Sequence, residues 1–399
     1  MNTKKLLPLA LLPIGIIPLI TISCSTQPEN IYTFEAEGLK IGSDGEIMGF
    51  VSKNTHIGPL EIKEEYNGVI ITKIAQSAFR GEQIEGLILP KTLVKIASWA
   101  FEGIKSPVAN TGETSVPWDL SHLTNLEYIG RGVFDRGSYN AKKLNLDLNL
   151  SGLSKLKVID DSVFSGLGLT SVDLRGLINL EEIKDWTFSD NLISKIYWPE
   201  DNKIKSIGSA AFLRNQLTEL NFVSLDLLES IGSNAFAGNS ITSILWNNFS
   251  KIKTIGKSAF AANELFGELD LHDLINLESV EEGVFSKNKI SSIIWPINSK
   301  ISSIGESAFE SNAIAGELNL LALTNLKSIG INSFRFNDIS SIQWPTPSQI
   351  KSIGLGAFAV NNFGLNIPTF PDGLTTETNG GITPEQIFTN KVKKLPPTN

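Results

Sequence analysis

Phenylalanine recurs along this chain at a nearly fixed interval, and that interval limits the possible fold more than any other feature. Phe79, Phe101, Phe134, Phe164, Phe188, Phe212, Phe236, Phe260, Phe285, Phe309, Phe334 and Phe358 are separated by 22, 33, 30, 24, 24, 24, 24, 25, 24, 25 and 24 residues. Five residues before each stands an aliphatic: Ile74, Ile96, Ile129, Ile159, Ile183, Ile207, Ile231, Ile255, Val280, Ile304, Ile329 and Ile353. From Phe188 onward an asparagine follows three residues later, at Asn191, Asn215, Asn239, Asn263, Asn288, Asn312, Asn337 and Asn361. A unit of about 24 residues cannot bury an apolar side alone, whereas stacked units bury one another in a quasi-one-dimensional core. The expected fold class is therefore a repeat solenoid of about 12 coils, with short parallel strands stacked side by side and joined by tight turns and short helical turns. Length alone would suggest two or three globular domains for 399 residues, and the repeats override that prior.

Within one copy, Leu217, Leu220 and Phe222 stand at positions 1, 4 and 6 of the pattern L-x-x-L-x-L, and the last two alternate as a strand with one buried face requires. Ile207-Gly208 to Ala211-Phe212 returns the chain on the opposite side, with Gly208 allowing a tight turn and Ala211-Phe212 entering the core. These features resemble the BspA-type leucine-rich-repeat family, whose repeat runs roughly L-x-x-I-x-I-P-x-x-V-x-x-I-G-x-x-A-F-x-x-C. Leu87-Ile88-Leu89-Pro90, Leu93-Val94-Lys95-Ile96 and Ala100-Phe101 match it, and the segment from Leu60 to Phe79 resembles the family's usual first repeat. Asn191 and its equivalents stand where the family often has cysteine. The resemblance spans about residues 45–366, and it implies adhesion to host cells or matrix proteins, or coaggregation.

The expected organisation is an N-terminal cap over 33–59, the solenoid over 60–366 and a Pro/Gly-rich tail over 367–399 that closes the other end while itself packing loosely. Residues 102–118 depart from the pattern and read as an excursion loop. Trp198, Trp246, Trp295 and Trp344 lie 48, 49 and 49 residues apart, so the array alternates two kinds of coil. Each Trp falls two residues after an inward Ile, which predicts a buried Trp ladder. The asparagine column is expected to satisfy backbone groups of neighbouring coils.

The first 23 residues carry an address rather than a fold. Lys4 and Lys5 precede an apolar run from Leu6 to Ile20, broken by Pro8, Pro13 and Pro18 and shorter than a spanning helix needs. Thr21-Ile22-Ser23-Cys24 ends the run and resembles the lipobox of bacterial, mollicute-like lipoproteins, departing from it at Thr21, where leucine is usual. The resemblance implies a diacylglycerol thioether on Cys24, a short tether over 24–32, and a protein held on the extracellular face of the cell membrane.

Cys24 is the one cysteine in the sequence, which excludes a framework of intramolecular disulfides. The net charge of −8 argues against a nucleic-acid partner, because phosphate binding relies on a Lys/Arg footprint. Three histidines, His56, His122 and His272, leave little for a metal centre, and nothing implies a cofactor. No Gly-rich phosphate loop, H-E-x-x-H or EF-hand pattern is present, so no enzymatic activity is expected. Asp270-Leu271-His272-Asp273 is the one compact acid–histidine cluster and reads as a surface loop. The informative positions are the outward ones. One per strand runs Asp173, Tyr197, Asn221, Leu245, Asp270, Ile294, Asn319, Gln343, and two residues earlier stand Glu219, Glu268 and Glu317 among serines. Stacked at about 4.8 Å per coil, these make one sheet face in which Tyr197, Leu245 and Ile294 sit among Glu219, Glu268, Asp270, Glu317 and Gln343 as a candidate protein-binding strip. The competing reading, capture of a nutrient or peptide for a transporter, requires a closed cleft.

Overall fold

The computed structural model describes residues 33–53, 57–103, 118–135, 146–364 and 367–389. The leader, Cys24, the tether, His56 and residues 104–117 of the expected excursion lie outside them.

The stacking expectation holds. Each coil contributes one strand to a broad face and, on the far side, a two-residue strand ending in the periodic aliphatic, such as Ser206–Ile207 paired in parallel with Ser230–Ile231. Between them the phenylalanines form one continuous pile. Thirteen rings, from Phe79 to Phe358 and ending on Phe388, lie 5.2–5.8 Å apart at interplanar angles of 2–20°. The rings are fully enclosed, so each contributes apolar burial as well as ring contacts above and below. Turns, not helical segments, carry the return path. The only helix among the described residues is Pro384–Phe388, outside the repeats.

Gly232 of the Ile-Gly step has a different role from the one expected. Its φ lies outside the left-handed region, and a Cβ there would stand 2.5 Å from the carbonyl carbon of Gly208 one coil below. The glycine is needed because neighbouring coils touch backbone to backbone. The left-handed residue comes two positions later, at Ala210 (φ 54°) and Asn234 (φ 56°), where non-glycine residues are held by the coils on either side.

The asparagine column is a ladder of hydrogen bonds. Asn239 Oδ1 accepts from the Leu217 amide at 3.0 Å, while Nδ2 donates to the carbonyls of Phe212 at 2.9 Å and Phe236 at 3.0 Å. The same arrangement recurs at Asn191, Asn263, Asn288, Asn312, Asn337 and Asn361. A side-chain amide thus supplies the donor and acceptor that two buried turns would otherwise leave unpaired.

Both ends are closed. Strands Thr33–Ala36, Leu39–Gly42 and Glu46–Phe50 form an antiparallel meander that pairs in parallel with Lys73–Ile74, and Phe50 meets Phe79 edge-on at 5.0 Å. At the other end residues 367–389 are packed rather than loose. Phe388 stacks on Phe358, the Phe358 amide donates to the Ile387 carbonyl, and Asn379 accepts from the Ile353 amide, so the tail imitates one more coil.

Candidate functional site

The residue-by-residue register of the face is the expected one. Asp173 lies beside Tyr197, Asn221 beside Leu245, Asp270 beside Ile294 and Asn319 beside Gln343, with Glu219, Glu268 and Glu317 each beside a serine. Continuity is not as expected. Strands Trp118–Asp119, Leu146–Asn149, Leu169–Asp173 and Lys195–Tyr197 form one sheet, after which the face divides into pairs: Glu219–Asn221 with Ser243–Leu245, Phe266–Asp270 with Lys289–Ile294, and Ala315–Asn319 with Asp338–Gln343.

Every break falls just after a tryptophan coil. In leucine or phenylalanine coils the backbone amide after the outward residue reaches the next coil, as Phe222 N–H does to the Leu245 carbonyl at 2.8 Å. In two of the tryptophan coils the indole reaches instead: Trp246 Nε1 donates to the Asp270 carbonyl at 2.9 Å and Trp344 Nε1 to that of Thr369 at 3.2 Å. Trp295 Nε1 is buried without a partner. The expected Trp ladder is only partial: each Trp lies edge-on, at 71–86°, against the phenylalanine that follows it in the chain, and the Phe222 ring bridges Trp198 and Trp246 at 6.2 and 5.6 Å, with Trp246 and Trp295 buried and Trp198 and Trp344 half-buried. Bulges at Gly267 and Gly316 supply the extra residue of the 25-residue spacings.

The strip residues differ in what surrounds them. Leu245 is the most open, at 56% exposure, and Ile294 is exposed at 37%. Tyr197, at 36%, is overlaid by two cations: Lys195 Nζ 4.7 Å and the Arg175 guanidinium 5.2 Å from its ring centre. Arg175 is itself fixed by a two-pronged contact to Asp173 at 3.0 and 2.6 Å, which holds that carboxyl below its ordinary range. Glu219, Glu268 and Glu317 are exposed, and Gln343 is half-buried. Asp270 is not a free acid. Its Oδ1 accepts from the His272 amide at 2.9 Å and faces Nδ1 at 2.8 Å, while Nε2 faces Asp273 at 3.0 Å. Two carboxylates on two ring nitrogens favour the imidazolium, so the His272 pKa is raised, chiefly through its hydrogen bond to Asp270.

An exposed apolar row escaped the sequence reading. Val223, Phe249, Ile275, Ile297 and Leu321 occupy the turns that follow five consecutive strands, and Phe249 and Ile297 are 86% and 75% exposed. They stand one, three, four, two and one residues after the inward Phe222, Trp246, Leu271, Trp295 and Leu320, so no fixed spacing marks them. On the far side a cleft of about 430 Å³ opens where strands Val158–Ile159 and Glu182–Ile183 part. Its lysines are already engaged, Lys157 by Glu127, Lys184 by Asp160 and Lys203 by Asn179.

The family model of the BspA type leucine rich repeat region matches in six copies, over residues 64–116, 127–266 and 229–365. The chain belongs to the BspA-type leucine-rich-repeat family. Among solved structures, this BspA-type solenoid is similar to a leucine-rich repeat protein from Bacteroides ovatus, with 20% identity, a TM-score of 0.44, and 82% of this chain and 90% of that one covered. It is also similar to a leucine rich cell surface protein from Faecalibacterium prausnitzii, with 16% identity, a TM-score of 0.33 and 82% and 88% covered. For the pneumococcal vaccine antigen PcpA the figures are 16%, 0.40, and 81% and 87%. No curated protein matches the sequence.

Proposed function

We propose that this chain is a surface lipoprotein, anchored in the cell membrane through Cys24, whose strand face binds a protein ligand on host or neighbouring cells. One observation carries the binding face. Leu245 and Ile294 stand open on a rigid stacked surface, bracketed by the exposed carboxylates Glu219, Glu268 and Glu317, and no described segment covers them. Core packing does not require aliphatic side chains there, whereas an apolar centre with a charged rim is what protein recognition uses. Tyr197 with Lys195 and Arg175 adds an aromatic contact at the N-terminal end of the strip. Gln343 closes the other end. The anchor rests on the lipobox-like sequence and on Cys24 being the sole cysteine.

The test is made on cells expressing the full chain. Palmitate should label the parent and not a Cys24→Ser variant, and soluble residues 25–399 should compete with the cells for attachment to host cells or matrix proteins. Unlabelled parent protein sinks the anchor, and attachment indifferent to the competitor sinks the adhesive role.

A further inference from the structure

The turns after the face strands carry side chains that coil packing does not explain. The inward Phe222, Trp246, Leu271, Trp295 and Leu320 fill the core, yet Phe249 and Ile297 project almost wholly into water. Leaving them there forfeits the transfer free energy that burial would return.

Two observations indicate what covers them. The first is the order of residues along the turn. Phe249 is followed by buried Ser250 and then exposed Lys251; Ile297 is followed by Asn298, buried Ser299 and exposed Lys300. The two serines turn inward to accept from the Ile252 and Ile301 amides. In two alternate coils, therefore, an apolar tip is backed by an ammonium group on the same edge. The second is the state of the charges. Lys251 makes no hydrogen bond or ion pair with a described residue, and Lys300 donates only to the neutral Asn276 carboxamide at 2.8 Å. Of the carboxylates nearby, Asp226 accepts from the neutral Asn247 carboxamide at 2.7 Å and Asp273 faces His272 at 3.0 Å. The two ammonium groups thus stand behind the apolar tips without a carboxylate partner among the described residues. Because the tips sit at different offsets in successive turns, they form no regular groove for a fixed side-chain pattern, and a fluid acyl layer needs none.

We propose that this edge rests on an anionic phospholipid bilayer. Phe249 and Ile297 enter the acyl boundary with Ile275 between them, while Lys251 and Lys300 meet the lipid phosphates, the arrangement by which peripheral proteins hold an interface. The bilayer is that of the cell carrying the chain, a choice that rests on the anchoring proposed above. Eight residues separate Cys24 from the first cap strand at Thr33, a reach of about 30 Å when extended, so the array is kept close to that surface. Lying on this edge leaves the neighbouring strand face open to a ligand.

Residues 25–399 contain the whole core, whose buried side chains run from Leu39 to Phe388, and lack both leader and acylated thiol. Their partition therefore reports the edge alone, and the anchor is judged separately by labelling at Cys24. They are sedimented with phosphatidylcholine vesicles containing or lacking phosphatidylglycerol. Expected is partition onto the anionic vesicles that weakens with salt, falls roughly tenfold or more in Phe249→Ser/Ile297→Ser, and falls several-fold in Lys251→Gln/Lys300→Gln, with unchanged circular dichroism. A parent that stays in the supernatant with both vesicle types overturns the proposal, as does a Phe249→Ser/Ile297→Ser variant that partitions like the parent.

Discussion

Asn239 offers the most discriminating perturbation of the stack. Replacing it with alanine removes three hydrogen bonds, from the Leu217 amide at 3.0 Å and to the Phe212 and Phe236 carbonyls at 2.9 and 3.0 Å. At about 1 kcal/mol each the loss is about 3 kcal/mol, and it is larger where the stranded backbone groups stay dry. Native-state hydrogen exchange reads this directly. The Leu217 amide should exchange roughly a hundredfold faster, since each 1.4 kcal/mol is about a factor of ten. The Leu169 amide, held by Asn191 two coils away, should be unaffected, because coils interact with nearest neighbours. Asn239→Asp sharpens the test. Its second carboxyl oxygen would face the same two carbonyls, so the folded protein holds the acid protonated, with its pKa raised above the unfolded value of about 3.9. Between the two pKa values the native state binds more protons than the unfolded one. The variant's stability therefore falls as pH rises from about 4 toward the folded-state pKa. Unchanged Leu217 exchange in the alanine variant, or a pH-independent aspartate variant, would show that the asparagine column does not hold the coils.

Gly232→Ala should destabilise by about 3 kcal/mol through contact with the Gly208 backbone, whereas Asn234→Gly, at φ 56°, should stabilise by about 1 kcal/mol, both read by denaturant midpoint. Phe260→Ala, which opens the middle of the ring pile, should cost about 3–5 kcal/mol, and an unchanged thermal transition would mean that the coil register is wrong. His272 should titrate above its ordinary value by NMR and move back toward it in Asp270→Asn. The ion pair it forms therefore favours the folded state below the unfolded-state pKa and loses that effect as pH rises through the folded-state value.

The periodic part of the fold was legible because three residue types report three different environments at fixed offsets. Phe marks the inner pile, Ile the far strand, and Asn the turn that needs both a donor and an acceptor. What was not legible is what departs from a fixed offset. Face-strand pairing is interrupted after Trp198, Trp246 and Trp295, and the Trp spacing alone could not show that, nor that the Trp246 indole takes the place of a ladder bond. The tail looked loose because Pro371, Gly380 and Gly381 dominate its composition, yet Phe388, 30 residues after Phe358, still completes the pile. At the candidate face the strip positions and their neighbours were readable from period 2. The cations over Tyr197 and the His272 contact to Asp270 depend on turn geometry and were not. Val223, Phe249, Ile275, Ile297 and Leu321 share an edge only because turns of different local shape end on the same side.

The most direct test of the strand face is the binding of soluble residues 25–399 to immobilised matrix proteins and host cells, compared with Tyr197→Ser/Leu245→Ser/Ile294→Ser. These three side chains project outward, so circular dichroism should be unchanged. Saturable binding by the parent that is lost in the variant is the predicted result. Equal binding by both proteins, or binding by neither, would contradict the assignment of the strand face as the recognition surface.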